Sequence, residues 1–317
     1  MIVSIFAVLL ACISGVEAGN RLWEPSLSSK SINARWGHVP LNVGVFSPWP
    51  YKVIPLCYES IETEEKLAEW IDAAMELWYA AGLPHEYRVE KASAIKCTTQ
   101  SNKALRVIYH DRHMITDTGM LREGEGSRMT IGVRGDLLGD KAANIAHELG
   151  HAWGLIHEHQ VPVFWNPNGH DKVFKFYCGA LYDYDIATAN LQEPQIWGAE
   201  GICRDWFAAL AKGFSGTSFL PRLDTIHPHG MDTTENDVDW ESIMIYPSWL
   251  GGSMAGSPLL RANGDPIGSN LVPTSSDVAG IRNMYAFREY SDPEVMLHND
   301  PRSEKFDTFQ RLSCNGP

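Results

Sequence analysis

Positive charge is scarce in this 317-residue chain: 26 Lys and Arg stand against 39 Asp and Glu, giving a formal net charge of −13. The basic field that draws phosphate backbones or anionic lipid headgroups is missing, which argues against nucleic acid and membrane surfaces as partners. No Asn-x-Ser/Thr sequon occurs, so N-glycosylation is not expected. After the first 18 residues no stretch is apolar enough to span a bilayer, and the last 15 residues are polar. Repeats and low-complexity tracts are also lacking, so the 44% apolar, 21% charged composition reads as an ordinary folded protein.

The apolar run IVSIFAVLLACISGV at residues 2–16 is shorter than the roughly 20 residues a spanning helix needs. Val16-Glu17-Ala18 follows it with small residues at the two positions a signal peptidase reads, so residues 1–18 are expected to be a signal peptide and the protein to be secreted. Cleavage takes Cys12 and leaves Cys57, Cys97, Cys178, Cys203 and Cys314, an odd set in an oxidising compartment. Pairing Cys57 with Cys97 and Cys178 with Cys203 is favoured because each pair lies in one stretch of chain; spacing alone leaves other pairings open, and Cys314 is then the orphan.

Residues 19–46 lack a sustained period and read as a pro-segment or N-terminal arm, ahead of a catalytic domain at 47–290 and an irregular tail at 291–317. Leu67, Trp70, Ile71, Ala74, Met75 and Trp78 are spaced as one face of a long core helix ended by Gly82 and Pro84. The runs ALRVIY at 104–109 and MTIGV at 129–133 predict strands, and Asp140 is placed to cap a second helix over 141–153. Residues 160–240 predict a loop-rich half with one short helix near 205–212. Thr274 and Asp277 form a capping-box spacing before Val278, Ile281, Met284 and Tyr285, which predicts a C-terminal helix. The order implies an α+β layer.

The chemistry is concentrated in one helix. His147-Glu148-Leu149-Gly150-His151 puts two imidazoles one turn apart on one face, with Glu148 directed toward the same ion. Gly154 can adopt the positive φ needed to turn the chain sharply and return His157, six residues after His151, to that ion. Three neutral histidines leave a tetrahedral position open, as a catalytic zinc site does and a closed structural site does not. Such an ion acidifies a water, from which Glu148 as general base takes the proton. Imidazoles accept other transition metals too; zinc is the expectation for three histidines with an open position.

HELGHAWGLIHEH resembles the extended zinc motif of the metzincin clan, and its closing His157-Glu158 resembles the astacin branch. Ser242-Ile243-Met244-Ile245-Tyr246 is similar to the methionine turn of that branch, differing at Ile245. The likeness extends from Trp49–Pro55 through the helix at 67–78 to Thr274–Tyr285, about residues 47 to 287. It implies a metzincin-like domain with an upper twisted mixed sheet and two long helices, a loop-rich lower subdomain with a C-terminal helix, and a cleft between them. It further implies a zinc endopeptidase acting on extended protein or peptide substrates. In that likeness Met244 packs under the imidazoles, and Tyr246 ligates the metal at rest and then donates to the tetrahedral intermediate. Glu158 binds the mature N-terminal ammonium, and substrate pairs with an edge strand, for which 129–133 is the candidate.

The sequence departs from the family where His159-Gln160-Val161-Pro162 replaces an Arg/Asp-rich segment, and where residues 19–50 offer neither Asp nor Cys for latency and only Glu24 as a carboxylate. No disulfide is carried over from the family. His110 and His113 around Asp111 read as a solvated strand end, and His227 and His229 as surface-loop residues. Arg204 and Arg222 are candidate pocket walls, with nothing to select either. The rival reading is a zinc-binding homologue without turnover; a Glu148→Gln variant separates it from an enzyme.

Overall fold

The computed structural model describes residues 46–110, 114–121, 124–132, 140–222 and 233–289. Helix α1 (Ile61–Ala80) begins at Ser60, whose Oγ accepts from the Thr63 N–H at 3.1 Å, and carries Glu62 and Glu64 against the helix dipole in its first turn. Its buried stripe is Leu67, Ile71, Ala74, Met75 and Trp78. Trp70, expected on that face, is 40% exposed, and its ring lies 5.3 Å from Lys141 Nζ. Adjacent helical residues point about 100° apart; Ile71 takes the centre of the stripe and leaves Trp70 at its rim.

The main sheet has the order β3-β2-β4-β7-β5, formed by β2 (Val53–Tyr58), β3 (Arg88–Lys91), β4 (Leu105–His110), β5 (Ile115–Thr116) and β7 (Arg128–Gly132). The first four in spatial order run parallel, while β5 is antiparallel to β7. The strand expected at 129–133 is observed as Arg128–Gly132 but is not an edge. It lies between β4 and β5, so among the described residues the edges are β3 and the two-residue β5. The edge role that the resemblance implied for 129–133 falls to β5, a strand of two residues and too short to show a period of two in the sequence. A separate antiparallel pair joins β1 (Phe46–Ser47) to β6 (Met120–Leu121). The Cys57–Cys97 bond ties β2 to the short helix α2 (Ala94–Thr99), as favoured from the sequence.

Helix α3 (Lys141–Trp153) is held through both its faces. The Trp78 indole N–H donates to Ala146 O at 3.0 Å and the Trp49 indole N–H to Ala152 O at 2.7 Å. The second half is indeed loop-rich: short helices α4 (Tyr184–Thr188), α5 (Glu193–Trp197) and α6 (Trp206–Lys212), and a hairpin of β8 (Phe174–Phe176) with β9 (Leu259–Arg261). Cys178–Cys203 is formed, and Asp205 caps α6 by accepting from Ala208 N at 2.7 Å. Helix α7 (Ser275–Glu289) starts in the expected capping box, with Thr274 N donating to Asp277 Oδ2 at 2.9 Å and Asp277 N to Thr274 Oγ1 at 3.1 Å. Among the described residues no helix is long and apolar enough to cross a membrane.

Two apolar cores result. The first joins the sheet, α1 and α3 through Leu155, Ile243 and Met244; the second runs from Ile156 through Phe164, Phe174, Phe219 and Ile245. Helix α7 buries Val278, Ile281, Met284 and Tyr285 in the first core rather than the second, because Tyr285 meets Trp153 and Tyr87 edge-on. The chain passes between the cores four times, and the Glu158 N–H joins two of these crossings, at 155/156 and 244/245, by donating to Met244 O at 3.0 Å.

Candidate metal centre

The centre is built on α3. Asp140 Oδ1 accepts from Ala143 N at 2.9 Å and fixes the helix start, so that His147 and His151 fall one turn apart. Gly154 ends the helix at φ 113°, and its N–H donates to His151 O at 2.8 Å. A side chain there would strike Met284 of α7, its Cβ lying 2.6 Å from the sulfur. The chain then turns back, and His157 Nε2 arrives 3.3 Å from His147 Nε2 and 3.1 Å from His151 Nε2.

The three rings are aimed from behind. His147 Nδ1 lies 2.7 Å from Ile243 O, His151 Nδ1 2.9 Å from Leu155 O, and His157 Nδ1 2.8 Å from Gln160 Oε1. A carbonyl oxygen only accepts, so each Nδ1 carries the proton and each Nε2 turns a bare lone pair toward the others. The His157 lone pair is crowded to 3.1 and 3.3 Å from the other two, all three nitrogens lying within 4.8 Å of one another, and they repel unless a cation lies among them. Tetrahedral zinc with bonds near 2.05 Å spaces its nitrogens by roughly 3.3 Å, so the spacing fits that ion. Burial holds the imidazoles neutral and able to ligate: His147 falls to about 4 and His151 to about 3, and His157 lies well below its ordinary value, the neighbouring rings adding to burial in the last two.

Glu148 is 5% exposed and its Oε2 has no hydrogen-bond partner, the arrangement of a carboxylate kept for a reactant. Burial pushes its carboxyl up to about 7, against the opposing Thr116 side chain on the β5 edge. The Tyr246 ring packs against His157 at 4.1 Å. Burial, and then the charge of Glu148, push its phenol upward, so it stays a protonated donor.

Met244 packs against α3 at Gly150. A Cβ on Gly150 would come within 3.2 Å of Met244 Cε and 3.3 Å of the Trp78 ring, which is why glycine stands between the two histidines. The turn is bolted to α7, with Ser242 Oγ donating to Asp277 Oδ1 at 2.6 Å and Ile243 N to Asp277 Oδ2 at 3.2 Å. Glu158 is 2% exposed, and its Oε1 accepts from Asp239 N at 3.2 Å. The ammonium expected to meet it would arise only on cleavage before Ser47, which in the uncleaved chain pairs with Met120.

Gln160, His159 and Asp277 carry parts of the site that sequence reasoning did not assign. The only signal for the first two was the departure from the family pattern after His157; for Asp277 it was the capping box. Arg222 is the arginine near the metal centre, its charge helping to depress His151, while Arg204 Nη1 donates to Gly169 O at 3.2 Å. His110 ends β4 and is exposed; Asp111, His113, His227, His229, Glu24 and Cys314 lie outside the described residues, as does the expected signal peptide.

No family profile matches the sequence, and no curated protein does. Among solved structures the chain is similar to high choriolytic enzyme 1, a hatching enzyme zinc-protease from Oryzias latipes (medaka fish). That match has 16% identity and a TM-score of 0.47, covering 77% of this chain and 94% of that one. Myroilysin matches at 18% identity and a TM-score of 0.44, over 78% of this chain and 98% of that one. At such scores the function has to rest on the residues.

Proposed function

We propose that this protein is a secreted, astacin-like zinc endopeptidase. The observation that carries the reading is the convergence of three bare Nε2 atoms beside a buried carboxylate with a free oxygen. Zinc held by His147, His151 and His157 would polarise the scissile carbonyl and acidify a water. Glu148, with its free Oε2, would take the water's proton and pass it to the leaving amine. Tyr246, protonated and packed at a tilt against a ligand ring, would donate to the oxygen on which charge develops. An extended substrate pairs with β5, whose Thr116 lies beside Glu148.

Secretion is supported by the apolar N-terminal run and two disulfides. Residues 19–46 act as a pro-segment, and Glu158 receives the new N-terminus once that segment is removed. The test is metal content and casein hydrolysis of the purified secreted protein, with and without chelator, beside Glu148→Gln. Near-stoichiometric zinc, with activity lost to both treatments, is the expected result. Zinc without activity, even after trimming of the N-terminal segment, would instead indicate a binding homologue.

A further inference from the structure

Behind His157 stands a side chain whose every hydrogen-bonding group is used. Gln160 is 4% exposed, and its Nε2 donates to Thr217 O at 2.7 Å and Leu220 O at 3.0 Å, while its Oε1 faces His157 Nδ1 at 2.8 Å. The amide orientation is forced. Two carbonyl oxygens tolerate only the NH2 end, which leaves the oxygen for His157 and requires the proton on that ring's Nδ1. The main chain reinforces the contact, since Arg222 N donates to Gln160 O at 2.8 Å. His159 repeats the arrangement one residue earlier. Its Nε2 lies 2.8 Å from Ser218 O, and its ring stacks on His157 at 5.1 Å and 12°.

We propose that Gln160 is the positioning residue of the centre: its amide sets the tautomer and ring plane of His157 and clamps that ligand to the 217–220 segment, some 60 residues along the chain. The inference rests on the zinc reading above and adds to it that only a primary amide of this length serves. Glutamate would accept from His157 but set an anion against two carbonyl oxygens. Methionine would fill the volume but leave the His157 N–H and Leu220 O without the partners that Gln160 supplies, Thr217 O keeping only the Trp206 indole N–H at 2.9 Å. Asparagine is one methylene short of the ring.

The experiment measures zinc affinity by chelator competition, and the visible spectrum of the cobalt-substituted full secreted chain, for wild type, Gln160→Glu, Gln160→Met and His157→Ala. Melting is followed with and without metal. Zinc binding about 10–100-fold weaker in both Gln160 variants, with an altered cobalt spectrum, is expected. Affinity within twofold of wild type, or a loss of melting temperature equal with and without metal, would show a merely structural glutamine and overturn the proposal. Should the variants not fold, nitrogen-15 spectra of the wild-type histidines decide: His157 carrying its proton on Nδ1 supports the clamp, and on Nε2 refutes it. A wild type that takes up no zinc, or His157→Ala binding as tightly as wild type, would instead remove the zinc reading itself.

Discussion

Gly154 shows how much one residue without a side chain decides. It ends α3 in the left-handed region and leaves the space that Met284 fills. Gly154→Ala is therefore expected to cost about 1–3 kcal/mol, read as a lower melting midpoint, and to weaken zinc uptake because His157 loses its return path. Glu148→Gln is expected to lower peptide hydrolysis 10²–10⁴-fold while leaving metal content unchanged, measured by casein turnover and metal analysis. Loss of the metal along with activity would assign Glu148 to holding the site instead. At this scale His147, Glu148, His151, Gly154 and His157 were legible because they fall within a single eleven-residue stretch. Gln160 was not, because what it binds beyond His157 lies at 217 and 220, and no local pattern marks a contact made across two loops.

Among the elements, α7 is the one that reaches furthest from its own neighbourhood. Its capping residue Asp277 also receives Ser242 Oγ and Ile243 N, so a helix start and the turn beneath the metal share one carboxylate. Burial raises that carboxyl from 3.8 to about 6. Relative to the unfolded chain its contribution is complete below about pH 4 and is lost as pH rises through about 6, a change on the order of 2–3 kcal/mol. The melting deficit of Asp277→Asn should thus be larger at pH 5 than at pH 7.5; a deficit that grows with pH would contradict this. Elements longer than two turns announced themselves by periodicity and caps. Helices α4 and α5, five residues each, and strand β5, two residues, are too short to do so.

At the scale of the whole molecule, the ligands sit where the chain passes between its two cores, so whatever fills the centre ties those crossings together. Free zinc at 100 times its dissociation constant should add about 2.7 kcal/mol, or roughly 5–10 °C in the melting midpoint of a domain this size. A scan with and without chelator measures it, and no shift would mean that the centre is unfilled in solution. The oxygens behind the three ligands have a further consequence. Ile243, Leu155 and Gln160 all offer neutral acceptors, so the ligand sphere cancels none of the charge of a dication. The molecule around it carries −13. A charge of that sign is expected to favour the approach of cationic peptides, so turnover of Lys- and Arg-rich substrates should fall as ionic strength rises, which initial rates at increasing salt would measure.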